Sequence, residues 1–404
     1  MLLTESFPFV GPDDPFLPYE IKVLSRDFEV LLVPTMRRLD SNSQQVVDGN
    51  VNIAEGLEHS TSLKVIGTLR TILSDSARAH IPAGVKLAPV DRLVLARRWV
   101  RVVAARRWTR DVLLQMAGDR ECAVYSWWSF APAYGVALGL AGTNIPMVSR
   151  IHGYDLYPEQ DRLGFIPFQE DLLARVSGMY SVSQAGADFL RASYPRLADR
   201  VGVAYLGVDG PESLCQGSGD GVFRLVTCSS ATPVKRLDRM IDSVSALNAQ
   251  GARVEWTHLG GGPLLECLRS RGQELGGSVR FVGQLPPAAV LPWLTRHPVD
   301  LFCNVSDSEG LPVSLMEAAS CGIPMLARDV GGNREIVDAS VGCLLPATCE
   351  AADIAEAIRG IIKLSESETQ QLRLSSRERW AQRFQAEANY AAFSEMLMAR
   401  ARAR

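Results

Sequence analysis

The sequence predicts an α/β fold made of two doubly wound, mostly parallel sheets, and three observations carry that prediction. Its 404 residues exceed one ordinary core of roughly 100–200 residues and suit two. Short apolar or β-branched runs alternate with stretches of helical period, the sign of βαβ units. Between Leu206 and Gly221 the chain turns to GVDGPESLCQGSGDG, rich in Gly and Ser and aperiodic, which predicts a linker between two comparable halves.

The strand candidates in chain order are FEVLLVP (28–34), CAVYSW (122–127), PMVSRIHG (146–153) and MYSVSQ (179–184) in the first half. In the second half they are FRLVTCSS (223–230), VEWTHLGGG (254–262), VRFVGQL (279–285), VDLFCNVS (299–306) and IPMLARDVGG (323–332). From Phe223 onward the alternation is regular enough to predict a Rossmann-like sheet. The expected boundaries are 1–206 for the first domain, 207–221 for the linker and 222–375 for the second domain. Residues 376–404 place Trp380, Phe384, Tyr390 and Phe393 at near-helical spacing, which predicts one amphipathic helix docked by its aromatics.

Apolar residues make up 47% and charged residues 22%, the balance of a globular protein with a sizeable core. A net charge of −3 gives no overall attraction to nucleic acid, and no nucleic-acid partner is expected. The eight cysteines form no C-x-x-C pair and no zinc spacing, so they read as buried thiols in a reducing compartment. No signal-peptide pattern opens the chain and no run approaches ~18 apolar residues. A cytoplasmic protein is expected.

The chemistry concentrates in EGLPVSLME, which carries Glu309 and Glu317 directly after the strand VDLFCNVS. Pro312 suits the first turn of a helix, so the helix is expected to begin beside Gly310 and Leu311, its free amides offering a phosphate site at the carboxyl end of a parallel strand. Glu317 would then lie ~8–9 Å further along the helix, the span from a pyrophosphate to its ribose, whose hydroxyls a carboxylate can accept. Glu309 would accept hydroxyls of a transferred sugar. Two exposed glutamates at a helix end would also explain the pattern. Three neighbouring segments favour a site. Gly331-Gly332 mark a close backbone approach or a positive φ. Lys235 and Arg236 lie in a strand-to-helix loop where cations can meet a diphosphate. HLGGGP (258–263) is a second glycine turn.

The stretch from about 223 to 338 resembles the donor-binding domain of retaining glycosyltransferases of family four. The match rests on Glu309, Gly310, Pro312, Glu317 and Ala318, on the Gly322-Ile323-Pro324 turn, and on Gly331, Gly332 and Glu335. The first half resembles a bacterial polysaccharide-biosynthesis subgroup in ESFPF, PFLPYEIKVLS, YSWW, RIHGYDLY, VSQAGADFL and YLGVD, most weakly over 36–120. The resemblance implies the GT-B fold, two Rossmann-like domains facing across a cleft, with a C-terminal helix returning to the N-terminal, acceptor-binding domain. It implies transfer, with retention of configuration, from a UDP- or GDP-sugar to a saccharide or lipid-linked saccharide in surface polysaccharide biosynthesis. No cofactor and no metal are expected beyond the nucleotide sugar.

By resemblance, Lys235 binds the donor diphosphate. The family's arginine five residues earlier falls on Ser230, leaving Arg236 as the second cation. Gly283 lies where the family contacts the base. His152 matches a family histidine near the donor sugar and its leaving phosphate, although a lone His after a strand can equally be structural. Arg150 and Asp155 are candidates for the acceptor side. The segment 91–110 holds seven arginines and one acid with apolar residues at helical spacing. It predicts either a basic helix on the inner face of the cell membrane or a solvated surface helix. A non-catalytic partner subunit is the alternative function, motivated by Ser230.

Overall fold

The computed structural model describes residues 1–9, 17–36, 49–54, 57 and 80–402. Pro15 and Phe16 of the PFLPYE segment, and residues 37–48, 55–56 and 58–79 of the weakly matching stretch, lie outside them. Two compact units form: Met1–Ala204 with Tyr390–Arg404, and Tyr205–Asn389.

The first unit holds a seven-stranded sheet of order β3-β2-β1-β4-β5-β6-β7, with every described pairing parallel. The strands are β1 (Leu2–Thr4), β2 (Val30–Pro34), β3 (Val51–Ile53), β4 (Val124–Ser126), β5 (Met147–Ile151), β6 (Gly178–Ser181) and β7 (Val201–Val203). The second unit holds a six-stranded parallel sheet of order β10-β9-β8-β11-β12-β13. Its strands are β8 (Phe223–Cys228), β9 (Val254–Leu259), β10 (Val279–Gly283), β11 (Leu301–Asn304), β12 (Met325–Arg328) and β13 (Gly342–Leu345). Counted within the unit this is 3-2-1-4-5-6, the doubly wound dinucleotide-fold order. The central strands β5, β11 and β12 are buried along their whole length. Parallel strands covered on both faces must be, and the polar residues they carry, Ser149 and Arg150 in β5, Asn304 in β11 and Arg328 in β12, are buried with them. The nine expected strands all form. Those not anticipated, β1, β3, β7 and β13, are three or four residues long, too short to show a period.

Three expectations change. The segment 207–221 is bound to the second unit: Cys215 N donates to Cys321 O at 2.9 Å, Val299 N to Gln216 O at 3.0 Å, and Ser218 N to Asp300 Oδ1 at 2.8 Å. Backbone pairing there outweighs the flexibility that its glycines suggest. The C-terminal segment is two helices, Glu366–Arg383 and Ala386–Arg402, and the break parts its aromatics. Trp380 Nε1 donates to Val208 O in the second unit, whereas Phe393 packs edge-on to Tyr125 at 4.9 Å in the first. The basic segment forms the helix Pro89–Trp108, but its tryptophans turn inward. Trp108 is buried and Trp99 packs on His80 and Phe168 at 5.3 and 5.8 Å.

Candidate functional site

In the second sheet the strand order reverses between β8 and β11, and loops leaving neighbouring strands there diverge and open a crevice at their carboxyl ends. Lys235 ends the short 3-10 turn Pro233–Lys235 after β8. Glu309 lies in the loop after β11. Lys235 Nζ donates to Glu309 Oε1 at 2.7 Å, and Asn304 Nδ2 donates to the same oxygen at 3.1 Å. The Glu309 side chain is only 9% exposed.

The two loops are tied together by backbone and charge. Asp307 N donates to Val234 O at 2.8 Å. The Asp307 carboxylate accepts from Arg236 Nη1 at 3.2 Å and from Arg328 Nη1, with Arg239 Nη1 3.6 Å away. Arg236 also donates from Nε and Nη2 to Asp238 at 3.2 and 3.1 Å. Arg236, expected as a second diphosphate cation, is therefore engaged by two carboxylates. Ser230 is exposed, and its hydroxyl makes no hydrogen bond among the described residues.

Two glycines make this geometry achievable. Gly331 has φ +52°, and a Cβ there would lie 1.8 Å from Glu309 O, a clash no side chain tolerates. Its neighbour Gly332 N donates to Gly310 O at 2.9 Å. Gly260, at φ +145°, brings backbone so close to Ser229 that a Cβ would lie 1.9 Å from its carbonyl oxygen. Ala231 N then donates to Gly261 O at 2.6 Å, and Gly260 N to Gly283 O at 2.9 Å. Gly283 thus buttresses the glycine turn that holds the Ser229–Arg236 loop.

The helix after Glu309 runs Val313–Ser320, later than expected. Pro312 is its cap, extended at φ −73° and ψ 115°, so Gly310 and Leu311 precede the helix and do not open it. The amides of Gly310, Leu311, Val313 and Ser314 have no acceptor among the described residues, and clustered free amides at a helix start favour an anion. Glu317 is the fifth residue of the helix, ~6 Å along its axis from Val313. Its carboxylate has no partner among the described residues, and burial pushes its pKa up to about 8.

In the first unit, His152 follows β5. Its ring lies between Trp127 and Trp128, with centroids 5.0 and 4.3 Å away, and both ring nitrogens are buried without a hydrogen-bond partner among the described residues. Burial, then the nearby Arg150, holds its pKa well below the usual value, so the imidazole is neutral. Asp155 is buried. It accepts from His152 N at 2.6 Å and Ser129 N at 2.7 Å, stapling the loop after β4 to the loop after β5. Burial pushes Asp155 up to about 7, against the pull of those amide bonds. Arg150, expected on the acceptor side, is 0% exposed. It donates to Glu20 Oε2 at 2.6 Å, and its guanidinium lies over Phe393 at 4.3 Å and Trp127 at 5.0 Å. It is a core ion pair that no acceptor reaches.

The structure therefore gathers Lys235, Glu309, Gly310, Leu311 and Glu317 in the second unit, and His152 and Asp155 in the first. Sequence reading missed Asn304 and Asp307, which orient Glu309 and Arg236. The available signal was polar residues at and just beyond the end of a buried strand, where a side chain can turn only toward the crevice. Among the described residues no group of three or more His, Cys, Asp or Glu could hold a metal.

The profile of the family described as "Glycosyl transferases group 1" matches residues 217–382. Over 80 residues the chain is 40% identical to the O-antigen biosynthesis glycosyltransferase WbnH of Escherichia coli, covering 20% of this chain and 22% of that protein. Over 180 residues it is 26% identical to the amylovoran biosynthesis glycosyltransferase AmsK of Erwinia amylovora, covering 42% and 43%. These matches thus span about a fifth to under half of the relatives' lengths. Among solved structures, Anabaena Alr3699/HepE in complex with UDP superposes with a TM-score of 0.65 at 18% identity, covering 98% of this chain and 99% of that one. The fold is GT-B.

Proposed function

We propose that the protein moves a sugar from a UDP- or GDP-sugar to a saccharide or lipid-linked saccharide, with retention, in surface polysaccharide biosynthesis, a reading supported by the match of residues 217–382 to the glycosyl transferases group 1 profile. The observation that carries this is the Lys235–Glu309 pair at the switch point of the second sheet, beside free amides and an unpartnered Glu317. A donor diphosphate would take Lys235 and the amides of 310–314, which stabilise the leaving group's charge as the glycosidic bond to phosphate breaks. Glu309, released from Lys235 and still held by Asn304, accepts hydroxyls of the transferred sugar. Glu317 accepts the ribose hydroxyls. His152, neutral and with both nitrogens buried without a partner among the described residues, would accept from or donate to a sugar hydroxyl once a bound sugar reaches the ring. No step is assigned to a metal or cofactor. The UDP complex of HepE and the polysaccharide pathways of WbnH and AmsK support this choice of donor and product.

Membrane contact belongs to the same proposal. No helix among the described residues is long and apolar enough to cross a bilayer. The helix Pro89–Trp108 exposes Arg97, Arg106 and Arg107 with Val90, Leu93 and Val103, a face suited to an anionic leaflet. Flotation with phosphatidylglycerol vesicles, lost on Arg-to-Glu changes at Arg97, Arg106 and Arg107, tests it.

The decisive experiment is a thermal-shift screen of UDP, GDP and ADP with several nucleotide sugars, repeated on Glu317→Ala, since a ligand of the folded state raises its melting temperature. A shift with one nucleotide that the variant lacks supports the site. No shift with any nucleotide returns the argument to a non-catalytic partner subunit.

A further inference from the structure

Two arginines of the helix Pro89–Trp108 turn away from its exposed face. Arg98 and Arg101 line a cavity of about 360 Å³ in the first unit, walled by Glu5, Tyr154, Asp155 and Asp161 among others. The Arg98 charge is met, because its Nη1 donates to Asp161 Oδ2 at 2.6 Å. Arg162, also on the wall, is met by Asp91, its Nε lying 3.0 Å from Oδ1. Asp155 is occupied by the two amides it caps.

Arg101 differs. Its Nε and Nη2 are sealed from solvent without an acceptor, and it makes no hydrogen bond or ion pair with any described residue. Glu5 acts on it through space, without a hydrogen bond between them. A guanidinium keeps its charge at any pH the fold survives, and a buried charge is costly unless paired. Arg101 therefore lines the cavity as a cation with no described hydrogen-bond or ion-pair partner, a charge that a carboxylate or phosphate entering the cavity can neutralise. At the lip, two residues beyond His152, the Tyr154 ring is 67% exposed. An exposed aromatic face beside a few convergent polar groups is how sugar-sized ligands are commonly held.

We propose that this cavity is the acceptor subsite, and that it takes a saccharide bearing an acidic group, a uronic-acid carboxylate or a phosphate ester, against Arg101. The proposal rests on the transferase reading above, and its test separates the two. The intact chain is titrated by ligand-observed NMR with methyl glucuronide, glucose 6-phosphate and neutral methyl glucoside, on the parent, Arg101→Gln and Arg101→Lys. Thermal shifts induced by UDP and by GDP, run in parallel, report that the variants fold and that the donor site is intact. At least one acidic probe is expected to bind tenfold or more tighter than the neutral glucoside, a preference erased by Arg101→Gln and partly kept by Arg101→Lys. Which acidic probe wins decides between carboxylate and phosphate. Equal binding of all three, binding of none, or a preference that survives Arg101→Gln overturns the subsite. The absence of a shift with every nucleotide in the parent overturns the transferase reading instead.

Discussion

The carboxyl edge of the second sheet is held by ion pairs and backbone clamps at its surface, whereas that of the first is held by rings and capped groups packed inside. In the second unit, Lys235, Asn304 and Glu309 meet at the floor of the crevice, largely covered, and Gly331 presses on Glu309 from behind. In the first unit, Arg150 and Glu20 are sealed together beneath the tryptophans that flank His152. The difference separates two uses of charge. Charges at the crevice pair with each other until a ligand displaces them, so altering them should disturb binding. Charges in the core have no alternative partner, so altering them should disturb folding.

Replacing Arg150 breaks or upholds that contrast most sharply. Arg150→Met leaves Glu20 buried without its cation, and loss of one partner of a buried pair costs about 3–5 kcal/mol. Urea unfolding should show that loss, while Glu20→Leu combined with Arg150→Met recovers much of it. Full stability in the single variant would mean that the pair is not core structure. Next in size is Gly331→Ala. Its Cβ must displace the Glu309 carbonyl, with a penalty of about 3 kcal/mol as for other strained positions, and the thermal shift given by the parent's nucleotide should disappear. Unchanged stability would show that the clamp yields easily.

Lys235→Ala should lower kcat/KM for the donor roughly 100-fold, in the range seen when one charge-stabilising donor is lost, with a melting temperature close to the parent's. A variant that melts early and keeps its activity would reverse the roles assigned to the two edges.

The smallest effect is a pH slope. Glu317 has a folded pKa of about 8 against an ordinary 4.5. Between those values the unfolded chain releases a proton that the folded chain retains, so the parent loses stability as pH rises from 4.5 toward 8. Glu317→Gln removes that slope. Parent and variant should match near pH 4.5, and the variant should melt higher near pH 8 without nucleotide. Ribose hydroxyls donate best to the ionised form, so binding to the parent should release a proton, seen as a buffer-dependent heat in calorimetry. Parallel stability profiles would show that Glu317 is already ionised.

By itself the sequence determined the alternation that builds both sheets, the strand-loop-helix context of Glu309 and Glu317, and the need for glycine at Gly331. These are local matters: side-chain period, turn chemistry and φ are set by residues close along the chain. Boundaries were less legible, because a glycine-rich stretch such as 207–221 says how the backbone can bend but not what it pairs with. Only the tertiary structure decided the state of each charge. It gave Arg236 to Asp307, 71 residues away, and Arg150 to Glu20, 130 residues away, and it left Arg101 without a partner among the described residues and Glu317 in surroundings that favour its proton. The energy of a charge depends on the neighbours and the dielectric that folding brings to it, and neither is written at its own position.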